Sequence, residues 1–105
     1  MTENFKKEIV QRITRNLLDI QLLRLINVEP IWGYKIKKQI ETQYGVRLRH
    51  GALYPLLNKL EHEGFLKSQK QQQGGRTRKV YAITKKGRDY VDAYESVLKE
   101  QIENL

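Results

Sequence analysis

Apolar residues recur at helical spacing over the first quarter of the chain. Ile9, Ile13, Leu17 and Ile20 fall on one stripe, and Leu18, Leu22 and Leu25 widen it. The pattern predicts a first helix from about Asn4 to Ile26, with more apolar surface than a terminal helix of a small domain usually buries. Val28-Glu29-Pro30-Ile31-Trp32-Gly33 interrupts it. Pro30 disfavours helix in the residue before it, so a short extended segment is expected there. Trp32, beside Pro30 and Ile31, reads as a core residue. A second helix from about Tyr34 to Gln43 would bury Ile36 and Ile40, expose Lys35, Lys38 and Gln39, and stop at Gly45. After a turn over Val46 to His50, a third helix puts Leu53, Leu56, Leu57 and Leu60 on one face. Gly51, Tyr54, Pro55, Asn58, Lys59 and His62 fall on the other. Pro55 requires regular helix to begin near Gly51 to Leu53, because a deeper proline removes a hydrogen bond and clashes with the preceding turn. Gly64 stands where a left-handed cap is wanted.

The period then changes from helical to alternating. Phe65 to Gln69 and Arg78 to Thr84 read as strands, the second with Lys79, Tyr81 and Ile83 on one face and Val80 and Ala82 on the other. Lys70 to Thr77 between them is polar, carries Gly74-Gly75 and is longer than a tight hairpin needs, which predicts a mobile finger. Thr84 suits the N-cap of a last helix running to about Glu103. Along that helix Val91, Tyr94, Leu98, Ile102 and Leu105 recur at helical spacing, with Tyr90 and Val97 beside them.

Helix, extended piece, helix, turn, helix and hairpin is the order of a winged helix-turn-helix domain, mainly α with a small antiparallel β-hairpin. A chain of 105 residues makes one domain, residues 1–105, with the winged region over about 4–88 and a C-terminal helix over about 84–105. Such a domain offers little core for both terminal helices. They are therefore expected to pair as dimerisation helices across a two-fold axis, using Ile9, Ile13, Leu17, Tyr90, Val91, Tyr94, Val97, Leu98, Ile102 and Leu105.

Charge sharpens the picture. The net charge is +8, and it is unevenly spread: +1 over residues 1–32, +11 over 33–88 and −4 over 89–105. The outer face of the third helix offers a phenol, an amide, an ammonium and an imidazole but no carboxylate. Lys67, Lys70, Arg76, Arg78 and Lys79 gather on the hairpin. Together these features point to phosphate contact. With no cysteine there is no disulfide framework and no thiolate zinc site. His50 and His62 are twelve residues apart, so no metal is expected. Glu61 and Glu63, at the helix stop, point apart and suit solvation better than acid-base catalysis. No phosphate loop or nucleophile-base pair argues for an enzyme, and no cofactor is implied. Neither a signal peptide nor a membrane span is visible, which predicts a soluble, cytoplasmic protein.

The segments Gly33-Tyr34, Gly51-Ala52-Leu53-Tyr54-Pro55-Leu56-Leu57, Leu60-Glu61-His62-Glu63-Gly64-Phe65-Leu66 and Arg78-Lys79-Val80-Tyr81-Ala82-Ile83-Thr84-Lys85-Lys86-Gly87 resemble the PadR family of transcriptional regulators over nearly the whole chain. The resemblance implies a prokaryotic, dimeric DNA-binding repressor of the short branch, with a single C-terminal helix, associated with the nucleoid when bound to a double-stranded operator. The family commonly has serine and threonine where Arg49 and Ala52 stand, so a different contact pattern is expected at those positions. On this reading the third helix enters the major groove with Arg49, His50, Tyr54 and Lys59 near phosphates or base edges, and the wing, led by Arg76, reaches the adjacent backbone or minor groove. Tyr34, Lys35 and Lys38 would fix orientation through the backbone. Arg47, Gly51, Ala52, Asn58, Gly75 and Arg78 complete the expected surface. Tyr90 and Tyr94 suit dimer packing better than an effector pocket of the kind drug- or phenolic-acid-responsive relatives have, although a small-molecule effector is compatible with DNA binding. The alternative is a winged helix that binds RNA or docks a protein.

Overall fold

The apolar runs close around one core in a computed structural model that describes residues 1–49 and 51–104. The elements, in chain order, are α1 (Thr2–Asn16), α2 (Leu18–Val28), β1 (Ile31–Trp32), α3 (Gly33–Tyr44), α4 (Leu53–His62), β2 (Leu66–Gln73), β3 (Arg76–Ile83) and α5 (Lys85–Glu103). Leu22, Leu23 and Ile26 from α2 meet Ile36 and Ile40 from α3, Leu57 and Leu60 from α4, Leu66 and Tyr81 from the sheet and Val91 from α5. Each such side chain, fully buried, contributes on the order of 1.5–3 kcal/mol.

The expected single first helix is two helices, broken at Leu17, whose backbone leaves the helical region (φ −120°, ψ 39°). The buried Thr14 hydroxyl donates back to the Val10 carbonyl at 2.7 Å, a bond that competes with the helix ladder and favours bending. Asp19 in the first turn of α2 then suits the positive end of a restarted helix. The bend divides the apolar stripe: Ile20, Leu22 and Leu25 are buried, whereas Ile9 and Ile13 remain exposed.

The short extended piece pairs with the hairpin and makes it a three-stranded antiparallel sheet in the order β1-β3-β2, with Ile31 opposite Tyr81 and Trp32 opposite Val80. The expected finger over Lys70 to Thr77 is likewise absent as a loop. β2 and β3 pair without interruption from Leu66↔Ile83 to Gln73↔Arg76, leaving only Gly74-Gly75 as the turn. Both glycines have positive φ (56° and 80°), the requirement of a two-residue turn whose twist matches its strands. Ordered pairing at this tip was hidden because its strands bury neither face.

Gly45, at φ 65°, ends α3, as expected. α4 begins at Leu53, which puts Pro55 third in the helix, where a backbone N–H has no intrahelical partner to lose. Thr84 caps α5 by accepting from the Gly87 N–H at 3.0 Å. The same hydroxyl donates to the Gly64 carbonyl at 2.6 Å, and Lys86 Nζ donates to the Glu63 carbonyl at 2.7 Å, so the start of α5 ties down the end of α4. Only Gly87 and Val91 of α5 are buried. Val91 therefore serves this chain's own core, a correction to its expected place in a dimer interface.

Tyr81 is 2% exposed. Burial, followed by the nearby Glu61 carboxylate and the Tyr54 phenol, raises its ionisation above the ordinary tyrosine value. A folded pKa above the unfolded one contributes stability that is present below the unfolded value, about 10, and is lost as pH rises through the folded value. Urea midpoints should therefore fall on the alkaline side of pH 10, and Tyr81→Phe should flatten that fall. An unchanged alkaline limb in the variant would contradict the assignment. Tyr94, raised mainly by burial, contributes in the same direction and leaves a residual slope.

Candidate nucleic-acid interface

The turn before α4 alternates inward and outward. Val46 and Leu48 are buried, while Arg47 and Arg49 are exposed between and after them. The Glu41 carboxylate holds this turn by accepting the Leu48 N–H at 2.7 Å. Gly51 follows with open space where a Cβ would stand, and Ala52 is exposed. His50, expected at this surface, lies outside the described residues, as does Leu105 of the expected dimer interface.

On α4 itself the leucines face the core and Tyr54, Pro55, Asn58, Lys59 and His62 are exposed. Ala52 precedes the helix, and no described side chain caps its first turn, leaving those N–H groups to solvent or an anion. Glu61 is not solvated as expected: its carboxylate accepts from the Ser68 hydroxyl at 2.6 Å, joining α4 to β2. That contact keeps the acid away from the outer face. Glu63 lies 3.9 Å from Lys59 across one helical turn, an exposed pair of little energetic weight.

The wing carries Lys67, Lys70, Arg76, Arg78 and Lys79, and no acid from Leu66 to Ile83. Eight paired residues per strand carry it roughly 25 Å. Lys70 lies directly opposite Lys79. Like charges in that position weaken a hairpin, and a bound anion would relieve them. Lys70 and Lys79 were expected among the hairpin cations; Thr77, which lines the cleft beside Arg78 and Lys79, was not expected at this surface.

Helix and wing meet in a cleft of about 370 Å³, lined by Tyr34, Tyr54, Asn58, Thr77, Arg78 and Lys79, together with Gly33 and Tyr81. The Arg78 guanidinium carbon lies 4.1 Å from the centroid of the Tyr34 ring, and Lys35 Nζ lies 5.8 Å from the same ring. Tyr34, Tyr54, Asn58 and Arg78 are thus brought together. Lys38 is exposed on α3 but does not line this cleft, and Gly75 and Arg76 stand at the far tip of the wing. Trp32 is half-buried rather than core. It walls a separate cavity of about 580 Å³ with Arg24, Tyr44, Lys35 and Glu95.

A second surface lies at the terminal helices. Ile13, Leu17, Ile20, Tyr94, Leu98 and Ile102 line an apolar groove of about 370 Å³ between the α1/α2 bend and α5. Ile9, Ile13, Tyr90, Val97, Leu98 and Ile102 are exposed, while Leu17 and Tyr94 pack partly against the core. Tyr90 also packs at a tilt against Phe65, with ring centroids 4.7 Å apart. Among the described residues no helix is long and apolar enough to cross a membrane, and no group of three His, Cys, Asp or Glu could hold a metal ion.

A helical core with a three-stranded wing beside an acid-free helix face defines a winged helix-turn-helix protein. A family model described as the Transcriptional regulator PadR-like family matches residues 22–93, most of the chain from α2 into α5, and the chain belongs to that family. It is 37% identical over 59 residues to Transcriptional regulator Rv3488 of Mycobacterium tuberculosis, a match spanning 56% of this chain and only 55% of that protein. A PadR family transcriptional regulator from Eggerthella lenta superposes with a TM-score of 0.77 at 25% identity, covering 98% of this chain and 90% of that one. Bacillus subtilis PadR in complex with operator DNA superposes with a TM-score of 0.69 at 27% identity, covering 74% of this chain and 45% of that one.

Proposed function

We propose that the chain represses transcription by binding a double-stranded operator as a homodimer, with α4 in the major groove and the wing on the adjacent backbone or minor groove. The observation that carries the reading is the junction of the outer face of α4 with a wing that has five cations and no acid. The likeness to a PadR solved with its operator DNA supports it. Arg47, Arg49, Lys59 and Arg76 would meet phosphates, while Tyr54 and Asn58 reach base edges and Lys35 and Lys38 fix the orientation of α3. The second copy would bring an equivalent α4 to a second half-site through the apolar groove at the terminal helices.

Fluorescence anisotropy with operator fragments selected by the purified protein tests this. Log affinity should fall with log salt by about 0.9 for each phosphate neutralised. Arg76→Ala should weaken binding to all sequences and lower that slope, whereas Asn58→Ala should cost the selected site more than random DNA. A flat salt dependence would sink the model, and tighter binding to RNA of matching sequence would favour the RNA-binding alternative.

A further inference from the structure

Arg78 differs from the other wing cations in being held. Its guanidinium lies 4.1 Å from the Tyr34 ring centroid, within the range of a cation–π stack. It is half-buried, whereas Lys67, Lys70, Arg76 and Lys79 are exposed. Among the described residues no carboxylate lies within ion-pair distance of it, since the ion pairs there involve Arg24, Lys59, Lys85 and Lys99. A stack covers one face of the guanidinium and leaves its edge, with the N–H donors, unspent.

The frame around the stack is stiff. Tyr34 follows Gly33, and a Cβ at Gly33 would come within 3.1 Å of the Tyr81 ring, so the start of α3 lies against β3. Trp32, one residue earlier, is paired with Val80, two residues beyond Arg78 on the same strand. The helix bearing the ring and the strand bearing the guanidinium are therefore fixed to each other through the sheet. The cleft they share has Tyr54 and Asn58 of α4 on its other side. Hydroxyl and amide donors from the helix thus share a pocket with a planar cation from the wing.

We propose that Tyr34 is a positioning residue for Arg78, holding the guanidinium at this cleft so that one backbone phosphate of the bound duplex is gripped jointly by the wing and α4. The inference rests on the DNA-binding reading above. A lysine in place of Arg78 would keep the charge but neither the planar stack nor the fixed fork of donors. A cation–π contact that presets the arginine is worth about 3- to 30-fold in affinity.

The test measures operator affinity and its salt slope for the unchanged protein, Tyr34→Ala, Tyr34→Phe, Arg78→Ala, Arg78→Lys and the double variant Y34A/R78A. Circular dichroism melts verify that each is folded. Tyr34→Ala should lose about 3- to 30-fold, and Tyr34→Phe, which keeps the ring, should recover most of that loss. Arg78→Ala should lower the salt slope by about 0.9, the value for one phosphate. Arg78→Lys should lose affinity as Tyr34→Ala does, and Y34A/R78A should be no worse than Arg78→Ala alone. Additive losses, or a Tyr34→Phe loss equal to that of Tyr34→Ala, overturn the proposal while leaving the DNA-binding reading standing. Absence of binding by the unchanged protein overturns that reading instead.

Discussion

Replacing Gly87 with alanine is expected to destabilise the fold by about 2 kcal/mol or more, because the added methyl has no room and its neighbours cannot yield cheaply. A Cβ there would fall on the Phe65 carbonyl oxygen and stand 2.6 Å from Ile83 Cγ1. The carbonyl is committed: it accepts the Thr84 N–H at 3.1 Å, in the junction where the Thr84 hydroxyl reaches Gly64 and accepts from Gly87 itself. Relieving the overlap means parting α5 from the end of α4. The better helix propensity of alanine returns only about 1 kcal/mol. A melting temperature lower by on the order of 10 °C should result. Gly51→Ala is the control, since nothing lies near its Cβ position and a loss within about 0.5 kcal/mol is expected. Equal melting temperatures for Gly87→Ala and Gly51→Ala would refute the close-approach account.

Gly87 also illustrates what was legible in the chain. A glycine three residues past a threonine N-cap reads as a tolerable weakness in a helix, and only the fold reveals the carbonyl it must clear. The leucine face of α4, the stops at Gly45 and Gly64, and the cap at Thr84 were readable because each follows from local backbone or periodicity rules. Three features were not. The bend at Leu17 follows a threonine hydroxyl turned back on its own helix, a contact that helical periodicity does not register. The ordered wing tip is polar on both faces, so the alternation that betrays a half-buried strand is missing. β1 is two residues long and gains its partner from a strand some fifty residues later, a pairing no local pattern encodes. The candidate surface was legible as a set of exposed cations, but the stacking of Arg78 on Tyr34 required the sheet that joins them.

The largest functional effect is expected from a residue remote from the cleft. Leu98→Glu should leave the fold intact, abolish the proposed dimer and lower operator affinity by roughly 10²-fold or more, beyond the loss from any single contact variant. Leu98 is 41% exposed, belongs to the apolar groove with Ile13, Leu17 and Ile102, and lies outside the buried core. A glutamate there costs the isolated chain little. In a two-fold assembly it would be buried in a groove whose two cations, Arg24 and Lys99, already pair with Glu95 and Glu103. Two linked copies engage the second half-site at high effective concentration, and a monomer forfeits that gain. Sedimentation at tens of micromolar should give a dimer for the unchanged protein and a monomer for the variant, and anisotropy should show the matching loss on the full operator but little on a single half-site. If the monomeric variant binds the full operator as tightly as the parent, the terminal helices have no part in recognition. If the parent itself sediments as a monomer, the unpaired apolar faces of α1 and α5 serve something other than a second copy of this chain.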